Sequence, residues 1–516
     1  MKKRTLIWAI CALAFYGILL ALLVWAESAH PETGIRSLGD ALWYSLVTLT
    51  TVGYGDLYPV STLGRIIGFI FLLLSVGLLA SVLGTAVVFL RGRFSRLLRS
   101  TALRGRKCYV FSHFNEIAVA IAGTLPAQNP EWLIIFCGQK KNPDIPSIPS
   151  RRVLSFPEEA AEILQKLSVC KETSVFLVSD NMAENYAAAE ALKAAGTALY
   201  CRGIEAPGMP EVHFFDTDVC AARAFWAKHP LKASENRVVL IGDGALAQEL
   251  LNQALLINCR VPFLKTAYTA FGNWSEYQRF HPVICQTMLD AGVSGDSLVF
   301  PIESWNTDPA LLENADRIVF CWDEPDRNVQ AAVKLLRAFP ISGKVYAAAP
   351  TVPAPAIAFG GLQETCTYDV IVQSELDRRA IALHKMYCQR TDSNTSWEEL
   401  SSFLKASNRA SADHMPVKIR LLLNDDIEEM TPEACQRAAA AWQATRDPEP
   451  FRRNEHERWM RFHLLYNWRY GPEKDSLKRT HPCIIPYDSL SQEEREKDDS
   501  AWQQIGSLFT GRGETP

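Results

Sequence analysis

Three groups of residues in this chain have types and spacings that could do chemistry. Residues 48–56 read Thr-Leu-Thr-Thr-Val-Gly-Tyr-Gly-Asp. Successive backbone carbonyls can face one axis only if alternate residues take conformations open mainly to glycine, and Gly53 and Gly55 fall on that alternation. Such a stack replaces the water shell of a dehydrated cation, and the Thr51 hydroxyl can add an inner ring of ligands. Thr51, Val52, Gly53 and Tyr54 are therefore the expected ligands, with Gly55 and Asp56 supporting the loop. One copy fills only part of each ring, so the chain is expected to act as a tetramer.

The second group is Gly242-Asp-Gly-Ala-Leu-Ala247, which follows the apolar run Arg237–Ile241. Glycines in a strand-to-helix turn let a pyrophosphate approach the helix N-terminus, so Gly242, Gly244 and Ala247 are a candidate nucleotide site. No clear acid follows the next strand, read at 260–267, to hold a ribose. The third group lies near the carboxy terminus. Trp468, Tyr470, His481 and Tyr487 could stack on a base, while Arg458, Arg469 and Lys478 could meet phosphates. Trp459, Phe462 and Tyr466 recur at helical spacing and are expected in a core.

The elements that must hold these groups follow from patterning. The chain has 516 residues and a net charge of −4, but its hydrophobic content of 48% is unevenly spread. No charged residue occurs from Leu6 to Ala26 or from Ile66 to Leu90, and either run at helical rise spans the ~30 Å hydrocarbon core. Lys2, Lys3 and Arg4 precede the first span, and Arg91, Arg93, Arg96 and Arg99 follow the second. Basic flanks place both termini in the cytoplasm and the connecting loop outside. The first run is longer than a usual signal-peptide core, so it is expected to remain as a membrane helix. Between the spans, Ala41–Thr50 is too short and polar to cross and reads as a re-entrant helix. Beyond the spans, strand-like apolar runs alternate with helical patterns, first from Lys107 and again from Arg237. That is an internal duplication. The first copy carries Ser112, Phe114 and Ile117 where the second has its glycine positions, and Phe114 would fill the phosphate space. The 13 cysteines form no Cys-x-x-Cys pair, which argues against a zinc ribbon or redox motif.

With Asp56-Leu-Tyr-Pro-Val60 and Gly64-Arg65 after the filter, the first segment resembles the two-helix potassium channel family. The resemblance implies a potassium-selective filter. Val47 stands where some relatives have a carboxylate behind the filter, so Asp56 is expected to pair with Trp43. Ser75 replaces the usual hinge glycine, with Gly77 and Gly84 beyond it, and the absence of an Arg-rich span removes voltage sensing of the usual kind. The tandem Rossmann-like copies resemble regulator-of-potassium-conductance (RCK) domains, which form a ligand-controlled gating ring. Asn467-Trp-Arg-Tyr-Gly471, His481-Pro482 and Pro486-Tyr-Asp-Ser-Leu490 make the last segment similar to the ryanodine-receptor repeat (RyR) domain. That resemblance implies sensing of a nucleotide-like molecule.

The expected fold class is a membrane α-helical two-helix pore with a re-entrant filter loop, then cytoplasmic α/β Rossmann-like tandem domains, then a mainly α-helical RyR-type module. The expected boundaries are 1–95 for the pore (helices about 5–26 and 66–90, pore helix and filter 38–56), 96–106 for a linker, 107–232 and 233–373 for the two copies, and 374–513 for the module. The module, hung on a pore and ring already complete, is expected to be a second input rather than a source of stability. The expected partners are three further copies, the bilayer of a bacterial-type inner membrane and a small cytoplasmic ligand. Potassium is the expected filter ion and no nucleic-acid polymer is expected. A membrane-anchored nicotinamide-dependent enzyme fails as an alternative, because no catalytic acid, base or nucleophile accompanies Gly242 and Gly244. A nonconducting receptor would leave the intact filter unexplained. A third reading gives the module to assembly alone and gates the ring by a nucleotide at the second copy.

Overall fold

The computed structural model describes residues 2–74, 76, 84, 106–125, 132–139, most of 142–166, 172–206, 208–289 and 295–506, with side chains from Ala14 onward. It divides into two units, Met1–Arg104 and Gly105–Pro516.

In the first unit the helix Lys2–Glu27 is followed by a second, Leu38–Leu49, and residues 62–74 are helical. Among the described residues no helix is long and apolar enough to cross a membrane. The first expected span lies within the helix Lys2–Glu27, with side chains described only from Ala14, and the second extends beyond residue 74, outside the described residues, where Ser75, Gly77 and most of the 96–106 linker also fall. The helix Leu38–Leu49 starts with a reciprocal cap, in which Ser37 Oγ accepts from the Asp40 amide while the Asp40 carboxylate accepts from the Ser37 amide. Glu27 is fully buried and accepts from the amides of Val60 and Ser61, both at 3.0 Å, and from the Ser61 hydroxyl at 2.6 Å. This carboxylate caps the third helix from the end of the first. Side chains are excluded at two points of that packing. A Cβ on Gly64 would lie 2.1 Å from the Glu27 carboxylate, and one on Gly68 would lie 2.5 Å from the Tyr44 hydroxyl.

The second unit contains two six-stranded parallel sheets. The first runs β3-β2-β1-β4-β5-β6, with β1 Lys107–Phe111, β2 Leu133–Cys137, β3 Val153–Phe156, β4 Glu172–Leu177, β5 Ala198–Arg202 and β6 Val212–Phe215. The second runs β12-β11-β10-β7-β8-β9, with β7 Arg237–Ile241, β8 Ala267–Phe271, β9 Ser297–Val299, β10 Arg317–Phe320, β11 Lys344–Ala348 and β12 Ile357–Phe359. Counted from its own first strand, each sheet has the doubly wound order 3-2-1-4-5-6 of a Rossmann fold. The central strands are buried along nearly their whole length because helices cover both faces.

The strand expected at 260–267 is instead β8, beginning at Ala267. Arg260 is buried and donates to the carbonyls of Lys232 and Glu235 and to the Thr266 hydroxyl, which commits this stretch to a loop. Gly272 and Asn273 follow β8, so no acid stands at the ribose position.

The copies interlock. The helix Thr217–Lys228 of the first packs on Ala245–Ile257 of the second, and the fully buried Trp226 indole donates to the Leu250 carbonyl at 2.9 Å. In return Cys366, which follows the short helix Leu362–Thr365, and Ile371, the last residue of the short helix Tyr368–Ile371, join the core of the first copy. Carboxylates crowd this junction. Burial, followed by the nearby Asp216, pushes Glu249 up to about 7. A carboxyl held neutral by its fold loses stability as pH rises from the unfolded value through 7, because the folded state then carries a proton that the unfolded state has released. Glu249→Gln should therefore stabilise the protein by up to about 3 kcal/mol at pH 8 and leave it unchanged below pH 4. Thermal unfolding across that range checks it.

Residues 374–506 add four longer helices, Arg378–Thr391, Ser402–Leu423, Pro432–Gln443 and Glu449–Leu465. They are not an appendage. Ala410, Val417, Met460, Phe462, Leu464, Leu465 and Trp468 share one core with Leu250, Leu251, Leu255 and Met288 of the second copy. Arg461 meets Asp296 at 2.7 Å with both side chains almost fully buried, and Arg223 of the first copy meets Asp377 and Asp413, each at 2.7 Å. The expectation that the module has no structural need is overturned by this shared interior.

Candidate functional site

The pore helix Leu38–Leu49 ends at Thr50, and the chain then alternates its backbone handedness. Thr51, Gly53 and Gly55 have φ of +61°, +59° and +71°, respectively. For glycine this region carries no side-chain penalty, whereas Thr51 is β-branched and is held there by its surroundings. The Val47 carbonyl accepts from the amides of Val52 at 3.0 Å and Gly53 at 3.3 Å, which ties the loop to the helix end. On the outer side the Trp43 indole donates to Asp56 at 2.9 Å, the pairing expected from Val47. Trp43 and Tyr54 stack nearly parallel, 6.1 Å between centroids. Thr51–Tyr54 thus have a backbone suited to offering carbonyls in series, while Trp43, Tyr54 and Asp56 brace the loop from outside. The negative end of the helix dipole falls at the same place, which favours a cation there.

The second group forms part of what was expected of it. Gly242 and Gly244 lie in the turn between β7 and the helix Ala245–Ile257, and Gly242 has φ of +150° with the Cys321 backbone 2.6 Å from where a Cβ would be. Ala247 is fully buried in the core. The space over Gly244 belongs to Asp323, whose carboxylate would lie 2.0 Å from a Cβ there. Burial and the neighbouring Glu324 and Asp243 push Asp323 upward. A pyrophosphate at this turn would face two carboxylates, so the turn does not fit that group. In the first copy Ser112 Oγ accepts from the Val178 amide, Ile117 is core, and the Phe114 ring packs edge-on against Phe136.

In the carboxy-terminal group the structure separates residues that the sequence put together. Trp468 is 4% exposed and stacks on Phe403, 5.3 Å between centroids. Tyr487 is 1% exposed, donates to Glu449 at 2.9 Å and lies between the guanidinium groups of Arg453 and Arg495. Both are core residues, a correction to their expected stacking role. Phe462 is buried as expected, whereas Trp459 and Tyr466 are half-buried. Arg458 is buried too and pairs with Glu455 at 2.6 Å, which corrects its expected phosphate contact, while the remaining four stay accessible. Arg469-Tyr470 and Thr480-His481 form a two-residue parallel ladder that sets Tyr470 beside His481. Gly471 permits it, since a Cβ there would lie 2.6 Å from Thr480. Tyr470 is 61% exposed, Arg469 and Lys478 are exposed, and Lys478 is 3.3 Å from Asp475.

The sequence reading missed the floor of this face. The Trp459 ring lies 4.0 Å from that of His463 and 4.9 Å from that of His481. Burial holds His463 down to about 4 and lowers His481, with Lys474 adding to the latter, so both rings are neutral at pH 7. The spacing of four between Trp459 and His463 was the available signal. The face can offer flat neutral rings beside three cations.

Comparison with known proteins now adds to this geometry. Residues 7–92 match the ion channel family model. Residues 441–511 match the model of the RyR domain. This is the pairing that the sequence resemblance implied. A voltage-gated potassium channel of Aeropyrum pernix is 38% identical over 77 residues, covering 15% of this chain and 25% of that protein. The rat voltage-gated potassium channel regulatory subunit KCNF1 is 50% identical over 40 residues, covering 8% of each. The chain thus spans a quarter or less of the length of these curated relatives. Among solved structures, the GsuK channel aligns over 72% of this chain and 99% of its own at 13% identity, with a TM-score of 0.35. The GsuK channel bound to NAD aligns over 67% and 77%, respectively, at 11% identity, with a TM-score of 0.31.

Proposed function

We propose that the chain is one subunit of a homotetrameric potassium-selective channel in a bacterial-type inner membrane, with both termini cytoplasmic, and that its role is passive conduction rather than catalysis. The observation that carries this reading is the alternation of left-handed backbone at Thr51, Gly53 and Gly55, directly after a capped helix whose carbonyl end faces the loop. Four copies around one axis would also cover Val52 and Tyr54, which are 53% and 68% exposed in a single chain. The two Rossmann sheets act as the gating ring, linked to the pore by the basic stretch after residue 90. Purified full-length protein in liposomes should pass potassium and rubidium far better than sodium. Equal sodium and potassium flux overturns the reading.

Regulation is assigned to the exposed face of the carboxy-terminal module. An anionic, base-containing ligand stacks on Tyr470 and His481 and meets Arg469 or Lys478, and it gates by binding one state more tightly, typically by 1–3 kcal/mol. Tyr470→Ala should abolish the response of flux to an active nucleotide and leave thermal stability unchanged. Trp468→Ala should instead cost about 3–5 kcal/mol of stability, as removal of a buried aromatic does. A second reading, in which the module serves folding and assembly alone, is favoured by the core it shares with the second copy. A nucleotide response that survives Tyr470→Ala intact would support that second reading.

A further inference from the structure

The first copy, the second copy and the carboxy-terminal module meet around a polar cavity of about 200 Å³. Its wall includes Lys228, His229, Lys232, Arg317, Lys344 and Arg420. Lys228 ends the last helix of the first copy, Arg317 and Lys344 open β10 and β11, and Arg420 lies in the helix Ser402–Leu423. Bases are thus drawn together from three regions that are far apart in sequence.

Two acids, Asp426 and Glu428, also line the cavity, but these and the neighbouring Glu235 and Glu364 already have partners. Asp426 accepts from the Ala233 amide at 2.8 Å, and Glu235 is held by the buried Arg317 at 2.5 Å and by Lys344 at 3.6 Å. The pairs Lys232–Glu428 at 3.4 Å and Lys228–Glu364 at 3.2 Å are exposed, and exposed pairs exchange partners at little cost. Arg420 has a donor to spare. Its Nε donates to the Ile427 carbonyl at 2.9 Å, while its buried Nη1 has no partner among the described residues. Burial, then Arg317, Lys228 and Lys344, holds the adjacent His229 down to about 4, so its ring adds no charge to the wall at pH 7. A volume of about 200 Å³ equals roughly seven waters, ample for one phosphoryl group.

We propose that this cavity binds a phosphoryl anion, held by Arg420, Lys344 and Lys232 and thereby bridging all three parts of the cytoplasmic unit. The site is separate from the exposed face around Tyr470 and does not depend on the reading of that face. Its ligand is free phosphate or a phosphate monoester. A neighbouring cavity of about 320 Å³ shares Lys228 and His229 with it and is walled by Ala221, Phe225 and Phe359, so it could take the organic part of an ester.

The test is thermal unfolding of the full-length protein in detergent, titrated with potassium phosphate or AMP against potassium chloride at equal ionic strength. A Tyr470→Ala background removes any contribution from the other face. The midpoint should rise with phosphate and saturate, as linkage to a bound ligand requires. Lys232→Gln with Lys344→Gln, both partly exposed side chains, should weaken the apparent affinity about tenfold or more, as should Arg420→Gln. The exposed Lys385→Gln should leave it unchanged. AMP binding more tightly than phosphate identifies an ester as the ligand, and equal affinity identifies the free anion. No rise with either over chloride, or a rise that the double variant does not alter, overturns the proposal.

Discussion

Gly53→Ala removes selectivity for potassium over sodium, while the protein still folds and assembles. Among the described residues of one chain nothing lies within 4 Å of the Cβ position of Gly53, so within a subunit the effect is conformational rather than a local clash. At φ of +59° an alanine pays roughly 1–2 kcal/mol for the left-handed backbone. In a tetramer that cost falls on all four copies at the same layer, on the order of 4–8 kcal/mol, well above thermal energy. The loop then relaxes toward ordinary φ and turns its carbonyl away from the axis, and sodium is no longer excluded by the lost coordination. Flux of potassium, rubidium and sodium from liposomes measures the effect. Unchanged selectivity in the alanine variant would mean that the alternation of handedness does not set ion choice.

Truncation before Leu376 should destroy the fold of the second unit, Gly105–Pro516, rather than leave it intact without its module. It strips cover from Leu250, Leu251 and Leu255 in the second copy, and it leaves Asp296 without Arg461 and Arg223 without Asp377 and Asp413. Breaking one buried pair by removing a partner costs about 3–5 kcal/mol, and an ordinary domain is stable by only about 5–15 kcal/mol. The Cys259 carbonyl also loses both of its donors from the module, His414 at 2.8 Å and Asn454 at 3.0 Å. The truncated protein should aggregate or fall to small amounts on gel filtration, whereas the full chain runs as a single oligomer. A monodisperse truncated oligomer would show that the shared core is dispensable.

Legibility in the sequence followed the kind of signal each element carries. β1 and β7 were readable to the residue, because continuous burial on both faces leaves an unbroken apolar run. β3, β6 and β12 escaped notice: they are strands of only three or four residues at sheet edges, too short to show a period. The left-handed backbone at Gly53 and Gly55 was legible because glycine spacing reports backbone conformation directly. The carboxy-terminal face was only half legible. Trp468 and Tyr470 are two residues apart and look alike as ligand platforms, yet one fills a core and the other faces out, and only long-range packing against Phe403 decides between them. The acids at the second glycine turn were hidden for the same reason, since Asp323 reaches Gly244 across some eighty positions of sequence.

Glu27 has a bearing on how force travels through the first unit. Its carboxylate fastens the beginning of the third helix to the end of the first through three hydrogen bonds, and Gly64 lets the two backbones close on that knot. A rod clamped at one end swings from the clamp. Displacement of the third helix over residues 62–74 therefore grows with distance from Glu27, and the stretch that carries Gly64 moves least.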